Sequence, residues 1–457
     1  VLKRRRGPEQ DVLGSERASR AGGNIRRASG DGFLGAWGPT GFLDNVPETF
    51  RLVDDLGLND RVVRSSDSAR RRFIYRGGRL HEVPTGPHSF ATSGLLSMTG
   101  KLRIAGEPWA AAAPAGDETI HAFATRRIGR EAADALVDPM VSGIFAGNAR
   151  ELSLRACFAK MADMEEQYGG LFKAMLAKMR ERRSKVDVGP TGKLTSFVGG
   201  TQDLIDALAC KLGPSLRLGT EVVGLSPADE RWRIETDEGA MQADAVVLAG
   251  AAGVSADLVK PFSFGISSTL RQIQSAPLAV VALAYEESAV ERVRGPLDGF
   301  GFLVPRGEGL RILGALWDSS VYPHRAPAGR VLIRAMVGGA HDPDVLSLSD
   351  EQIVATVEHE LRLAMHLKLE PLWTRVIRHP LGIPQYTRGH LDRLAEIDRR
   401  LAAWPGLFLA GNAYRGPSIN SCVADADRLA DRLTGYLAGR AAPLDGRAPI
   451  QLASQSA

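Results

Sequence analysis

Apolar residues along this chain recur with two periods, and the alternation between them predicts a mixed α/β protein. Short unbroken apolar runs, Ala245–Ala249 and Leu407–Ala410, have the length and composition of strands buried on both faces. The longest run, Ala276–Tyr285, is also strand-sized and falls well short of the roughly 18 residues that suggest a membrane span. Further strands are expected at Asp11–Glu16, Leu216–Gly219, Glu221–Leu225 and Trp232–Thr236, and as a pair about Gly77-Gly78 within Phe73–Pro84. Helical spacing appears over Pro47–Leu58, with Leu52, Val53, Leu56 and Leu58 apolar and Pro47 at the first position, where no N–H is needed. It appears again over Ser349–Leu367, where Ser349 and Gln352 form a capping box and Ile353, Val357 and Leu361 share a stripe. A helix is expected to start at Gly199-Gly200 and continue through Ile205, Leu208 and Leu212. Another runs from Ser421, with Val423, Ala426, Ala430 and Leu433 on its apolar face and Ser418 or Asn420 as its cap. The region from Ser89 to Arg183 is mostly helical. Val1–Gly7 reads as the last turn of a helix with its glycine stop, Lys178–Lys185 as a solvated linker, and the residues beyond Gly439 as a fraying tail.

Composition narrows the class. A chain of 457 residues is too long for one core, so two or three domains are expected. The formal net charge of +4 makes no case for nucleic acid as a partner, although a basic face would help docking on an anionic membrane. Cys157, Cys210 and Cys422 are odd in number and far apart; they make neither a disulfide framework nor a metal site, and they suit a reducing compartment. The histidines of His379–His390 have no cysteine or carboxylate at ligand spacing, so no metal is expected.

The candidate chemistry gathers at glycine turns. Gly411-Asn412 and Gly416-Pro417 lie between a buried strand and a helix, an arrangement that offers free backbone N–H groups and a positive helix end to an anion or a polarised ring. Glu16 closes a strand, the place where a dinucleotide-binding unit keeps an acid for a ribose hydroxyl. Each feature alone reads more simply as an ordinary turn or a surface acid. No Ser/His/Asp set or carboxylate pair stands out. The first strand and G-x-G-x-x-G loop of such a unit do not appear; the sequence starts within the helix that should follow them, and the Val at position 1 leads us to expect an internal start.

The motifs taken together resemble a known family. Ala410-Gly411-Asn412-Ala413-Tyr414-Arg415-Gly416, followed by Ile419-Asn420 and Cys422, is similar to the C-terminal flavin motif of the protoporphyrinogen oxidases, within the amine-oxidase-like FAD flavoproteins. Arg20–Arg26, Gly38-Pro39-Thr40-Gly41, Pro84-Thr85-Gly86, Val137-Asp138-Pro139, Phe197–Gly200 and Ile383–His390 also resemble the family. The resemblance implies an α/β (α+β mixed) fold: a Rossmann-like FAD-binding domain, truncated at its N-terminus, with a mixed-sheet substrate domain and a helical domain. The implied division is 1–60, 195–262 and 395–440 for FAD, 61–88 and 263–394 for substrate, and 89–194 helical and able to meet a membrane, with a flexible tail over 441–457. It places Glu16, Arg17, Gly22, Gly23, Asn24, Gly38, Pro39, Thr40, Gly41, Val222, Leu409, Gly411, Pro417, Ser418 and Ile419 against FAD. It places His88, Phe300, Gly301, Leu303 and Met336 against the substrate, His88 standing where some members carry an arginine for a propionate. The implied reaction is oxidation of protoporphyrinogen IX to protoporphyrin IX in three two-electron steps, with oxygen as acceptor, hydrogen peroxide as product and no single catalytic side chain. Implied too are a cytoplasmic location, admitting contact with the membrane surface, and a chain able to form a homodimer. Two other readings stay open: an amine oxidase or carotenoid-desaturase-like flavoenzyme, and an FAD-deficient remnant with a binding or structural role.

Overall fold

The computed structural model describes residues 11–181 and 192–441. Its centre is a seven-stranded mixed sheet in the order Trp373–Pro384, Ser275–Glu286, Arg330–Gly338, Ile312–Leu316, Gly301–Leu303, Phe73–Arg76 and Arg79–Glu82. All neighbours are antiparallel except Gly301–Leu303 and Phe73–Arg76, which run parallel. The long apolar run predicted as a strand is the second strand of this sheet, Ser275–Glu286, and Ala276 together with every residue from Leu278 to Tyr285 is buried. Both of its faces are covered, so it shows no polar alternation. One sheet face packs on helix Asp350–Met365 through Ile353, Val357 and Leu361, each 0% exposed. Burial of such side chains contributes about 1.5–3 kcal/mol apiece. The predicted capping box starts this helix: Ser349 Oγ accepts from Gln352 N at 3.3 Å, and Gln352 Oε1 accepts from Ser349 N at 2.9 Å. The hairpin Phe73–Arg76/Arg79–Glu82 turns at Gly77 and Gly78, with φ of 58° and 80°, conformations that only glycine adopts without strain.

The predicted parallel layer is present as two short pairs. Gly14–Glu16 lies beside Leu216–Leu218, and Val246–Leu248 beside Leu407–Leu409. Beside them stands a three-stranded meander, Val222–Ala228, Arg231–Thr236 and Gly239–Ala243. Residues 87–181 are helical apart from their connections, as the pattern predicts.

Several boundaries differ from expectation; the helix expected to run to Leu58 ends at Asp55. The strand predicted at Asp11–Glu16 pairs only from Gly14, because its partner begins at Leu216. Leu194–Phe197 forms a strand paired with both Phe42–Leu43 and Val62–Arg64, so the following helix starts at Gln202 and Gly199-Gly200 forms the turn before it. The C-terminal helix starts at Ile419, two residues early. Ser418 is the cap, its Oγ accepting from Ser421 N at 3.1 Å, whereas Asn420 turns away to donate to Leu43 O at 2.8 Å. Lys178–Glu181, expected as the start of a linker, are the last turn of the helix Leu171–Glu181; the N-terminal turn Val1–Gly7, the remaining linker residues Arg182–Lys185 and the tail from residue 442 lie outside the described residues.

Candidate functional site

The site is built on the sheet face opposite helix Asp350–Met365. Side chains alternate along a strand, so register identifies those that share a face. Leu303 stands opposite Gly314, Gly314 opposite Met336, Met336 opposite Val280, and Val280 opposite Ile377. One step along, Gly301 pairs with Leu316 and Leu316 with Arg334. Leu303, Leu316, Met336 and Arg334 therefore line one surface. Met336, like Trp37, packs against the buried cluster of Ala146, Ala276, Leu278, Val280, Leu313 and Ile377. Helix Asp138–Phe145 closes over Leu303: a Cβ on Gly143 would stand 2.6 Å from Leu303 Cδ2.

The loop Ala36–Gly41 lies across this surface, held by one arginine. Arg334 is 3% exposed and bonds Asp318, also 3% exposed, through Nε at 3.0 Å and Nη2 at 3.2 Å. Its Nη1 donates to the carbonyls of Ala36 and Gly38, each at 3.0 Å, and its Nη2 to Thr40 Oγ1. The planar fork thus spends its donors on one carboxylate and three loop atoms. Packing fixes the loop from the other side. A Cβ on Gly38 would sit 2.4 Å from Asn24 O, and one on Gly41 2.2 Å from Thr195 O. Pro39 O accepts from Thr201 Oγ1 at 3.0 Å.

The acid-and-glycine segment leads into the same region. Glu16 ends its strand with Oε1 accepting from Ala18 N at 2.9 Å, and its carbonyl accepts from Thr220 N at 3.1 Å. Arg17, exposed, pairs with Glu221 at 3.4 Å, which brings Val222 beside the acid. Gly22 has φ 108° and leaves no room for a side chain, since a Cβ would be 2.8 Å from Ile205. Gly23, at φ 54°, has open space on its Cβ side. Asn24 Nδ2 donates to Gly382 O at 3.1 Å.

The turn after strand Leu407–Leu409 completes the group. Ala410 N donates to Leu248 O at 2.9 Å, and Gly411 takes φ 108°. Pro417-Ser418 then leads into the 23-residue helix Ile419–Ala441, whose first-turn N–H groups point out of its N-terminus. Ile419 is 7% exposed and packs with Phe42, Phe197 and Ile25. Asn420 Oδ1 accepts from Thr49 Oγ1 at 2.8 Å. The start of this helix therefore packs beside Phe42 and Ile25, the residues that directly follow the Gly38–Gly41 loop and the Gly22–Asn24 segment.

Two expected substrate residues are not among these register-aligned side chains. His88 is exposed on the short helix Pro87–Thr92. Phe300 sits at the bend before strand Gly301–Leu303, where it packs against the cluster of Ala69, Val321 and Tyr322 and lies 5.3 Å beneath the Arg72 guanidinium. Sequence reading missed Arg334, Asp318 and Leu316. The available signal was a lone charge inside the apolar run Val331-Leu332-Ile333-Arg334-Ala335-Met336, which only a buried partner can satisfy.

These residues fit a flavin dinucleotide. An acid ends a parallel strand, a glycine turn has an open side, a long helix presents its N-terminus, and Trp37 Nε1 is buried with no hydrogen-bond partner among the described residues. Fold and site define an FAD-dependent oxidoreductase of mixed α/β architecture. The description "flavin containing amine oxidoreductase" matches residues 4–434, and the chain belongs to that family. It is 33% identical to the chloroplastic protoporphyrinogen oxidase of Nicotiana tabacum, over 93% of this chain and 82% of that one. It is 30% identical to the coproporphyrinogen III oxidase of Bacillus subtilis, over 92% and 91%. A crystal structure from Exiguobacterium sp. 255-15, provisionally named a protoporphyrinogen oxidase, superposes with a TM-score of 0.81 at 27% identity, over 94% of this chain and 93% of that one.

Proposed function

We propose that this chain oxidises a porphyrinogen, protoporphyrinogen IX in the first instance, with FAD as the group that takes the electrons and molecular oxygen as the final acceptor. The observation that carries this reading is the apolar surface of Leu303, Leu316 and Met336 lying directly beside the braced Ala36–Gly41 loop. A flat, greasy macrocycle suits such a wall, where branched and thioether side chains conform to a ring without competing hydrogen bonds. FAD, when bound, supplies the redox chemistry, two electrons at a time. The chain's own residues bind, orient and exclude water. Glu16, Gly22, Gly23 and Val222 hold the nucleotide end, with Arg17 and Asn24 at its rim. Gly38, Pro39, Thr40 and Gly41 support the ring, and Leu409, Gly411, Pro417, Ser418 and Ile419 present the helix end to it. Arg334 is already fully engaged, so it braces and does not transfer protons. Over the whole reaction six electrons and six protons leave the substrate and three oxygen molecules become hydrogen peroxide.

The test is to reconstitute the chain with FAD and follow porphyrin fluorescence from protoporphyrinogen and coproporphyrinogen, with peroxide measured alongside. Porphyrin formation at one peroxide per two electrons is expected. An FAD-loaded protein that oxidises neither porphyrinogen but consumes oxygen with a diamine refutes the proposal in favour of an amine oxidase.

A second proposal concerns location. Met98, Leu102 and Trp109 are 67%, 65% and 85% exposed at the edge of the helical region. No helix among the described residues is long and apolar enough to cross a membrane. We propose that this edge rests on the cytoplasmic face of a bilayer, where an amphipathic tryptophan is favoured. Trp109→Ala with Leu102→Ser should abolish sedimentation with anionic phosphatidylglycerol vesicles; equal sedimentation of variant and wild type rejects it.

A further inference from the structure

The stretch His379–His390 has no place in the chemistry proposed above, yet it bonds the start of the braced loop, Asn24, the end of the covering helix and the glycine turn. His379, 7% exposed, donates from Nε2 to Trp37 O at 2.8 Å, at the start of the braced loop. The carbonyls of Leu381 and Gly382 accept from Asn24 Nδ2 at 3.3 and 3.1 Å. Gln385 Nε2 donates to Phe145 O at 2.8 Å, at the end of the helix that covers Leu303. Tyr386, 1% exposed, bridges the glycine turn: its hydroxyl donates to Asn412 O at 2.5 Å and accepts from Gly416 N at 2.7 Å. The ring of His390 stacks on that of Tyr386 at 4.0 Å with an interplanar angle of 13°, and its Nε2 donates to Tyr414 O at 3.0 Å. The backbone of the same residues ties down the helical region. Tyr386 O accepts from Ser153 N at 2.8 Å, Arg388 N donates to Glu151 O at 2.8 Å, and Gly389 N donates to Asp117 Oδ2 at 2.8 Å.

We infer that His379–His390 is a strut that sets the relative position of the loop Ala36–Gly41, the turn Gly411–Ser418 and the wall of the slot, with Tyr386 as its principal positioning residue. The turn Gly411–Ser418 has two glycines at positive φ and few bonds of its own, so its shape is soft. Tyr386 reaches both its ends with one oxygen, as donor and acceptor, and fixes their separation. His390 fills the space under the phenol and bonds the middle of the turn. No other side chain in the described residues bonds two points of this turn. The strut also makes the turn's position depend on the helical region, because Tyr386 carries Ser153 on its carbonyl and the turn on its hydroxyl. Tyr386 and His390 touch no reacting atoms in this scheme; they act through the turn.

This inference rests on the FAD oxidase reading, and the experiment separates the two. Apo protein is titrated with FAD, followed by flavin fluorescence and by visible circular dichroism, for wild type, Tyr386→Phe, Gln385→Leu and the distant control Ser349→Ala. Tyr386→Phe keeps the stacked ring and loses the two turn bonds, so FAD binding is expected to weaken about tenfold, with changed flavin dichroism bands. Gln385→Leu, which touches the slot wall and not the turn, should alter those bands too, with a smaller change in affinity. Ser349→Ala should match wild type. Should the Tyr386→Phe chain fail to fold, amide exchange in the wild type serves instead: FAD is expected to slow exchange at Gly416 and at Ser153 together. Tyr386→Phe binding FAD within twofold of wild type with unchanged bands, or FAD protection confined to the turn, overturns the strut. A wild type that takes up no FAD removes the functional reading and the strut with it.

Discussion

The loop Ala36–Gly41 and the turn Gly411–Ser418 are braced in opposite ways. The loop is held by a buried ion pair, Arg334 with Asp318. The turn is held by neutral aromatic groups, Tyr386 and His390. Both braces must grip backbone carbonyls in a dry place, and each solves the desolvation problem differently. A buried guanidinium is tolerable only when its donors are spent and its charge is answered, and Arg334 satisfies both conditions. The aromatic brace carries no charge, provided that His390 stays unprotonated. Its burial does this, pushing the imidazole down to about 4 against the opposing pull of its hydrogen bond to Tyr414 O, with Arg393 and Arg415 adding to the effect and Asp117 opposing it. The charged brace is therefore strong and brittle, and the neutral one is weaker and sensitive to acid.

The largest effect is expected from breaking the charged brace. Asp318→Asn leaves Arg334 buried without its counter-charge and should cost about 3–5 kcal/mol of stability, measured by urea unfolding. The paired change Arg334→Met with Asp318→Leu should recover much of that, although the loop loses its bonds and FAD binding stays weak. An Asp318→Asn chain as stable as wild type means that the pair is not the brace.

The neutral brace is broken by acid. The pKa of His390 in the native state lies below its ordinary value near 6.5, at about 4. Between these values the unfolded chain binds a proton that the native chain refuses, so stability falls as pH drops through this window and is unaffected above it. The full loss is about 3 kcal/mol for this one group. His379, bonded to Trp37 O, is also pushed down by burial and adds slope of the same sign. His390→Asn should remove up to one proton, about 1.4 kcal/mol per pH unit, from the slope of stability between pH 4 and 6.5. An unchanged slope shows that His390 is not the acid-sensitive part.

Glycine substitution compares how each region is packed. Gly38→Ala forces a Cβ to 2.4 Å from a backbone oxygen, on a loop that Arg334 keeps from moving. It should cost roughly 2–4 kcal/mol and weaken FAD binding strongly. Gly23→Ala meets open space and only the strain of φ 54°, so about 1 kcal/mol is expected, read by thermal melting. Equal losses at the two positions contradict the close approach at Gly38.

What sequence could reveal follows from how local each feature is. The capping box at Ser349, the Gly77-Gly78 hairpin and the apolar strand Ser275–Glu286 depend on neighbours in sequence, and they formed as expected. The shortened strand at Gly14 and the strand Leu194–Phe197 depend on partners far along the chain, which periodicity does not show. That Glu16 ends a strand and that Gly22, Gly23 and Gly411 lie at turns was legible because these are local features. Phe300 falls on the bend before its strand, where periodicity does not say which neighbours it meets. Arg334 and Asp318 went unseen because their pairing spans a helix and a strand, and nothing in either local pattern names the other.

The smallest effect tests whether charge or burial makes the first brace strong. The turn has an ion pair of its own, Arg415 with Asp398 at 3.0 Å, with side chains 27% and 46% exposed. It sits one residue from Tyr414 and two from Ala413, within the segment that Tyr386 spans. If charge alone stiffened a loop, Asp398→Asn would loosen this turn as Asp318→Asn loosens the other. An exposed pair is screened by water and contributes at most about 0.5–1 kcal/mol. Asp398→Asn should therefore change the melting temperature by a few degrees at most and leave FAD affinity within twofold of wild type, in low and high salt alike. A loss of FAD binding comparable to that of Tyr386→Phe, reversed by salt in neither protein, shows that the turn depends on its surface charge and that the aromatic brace is secondary.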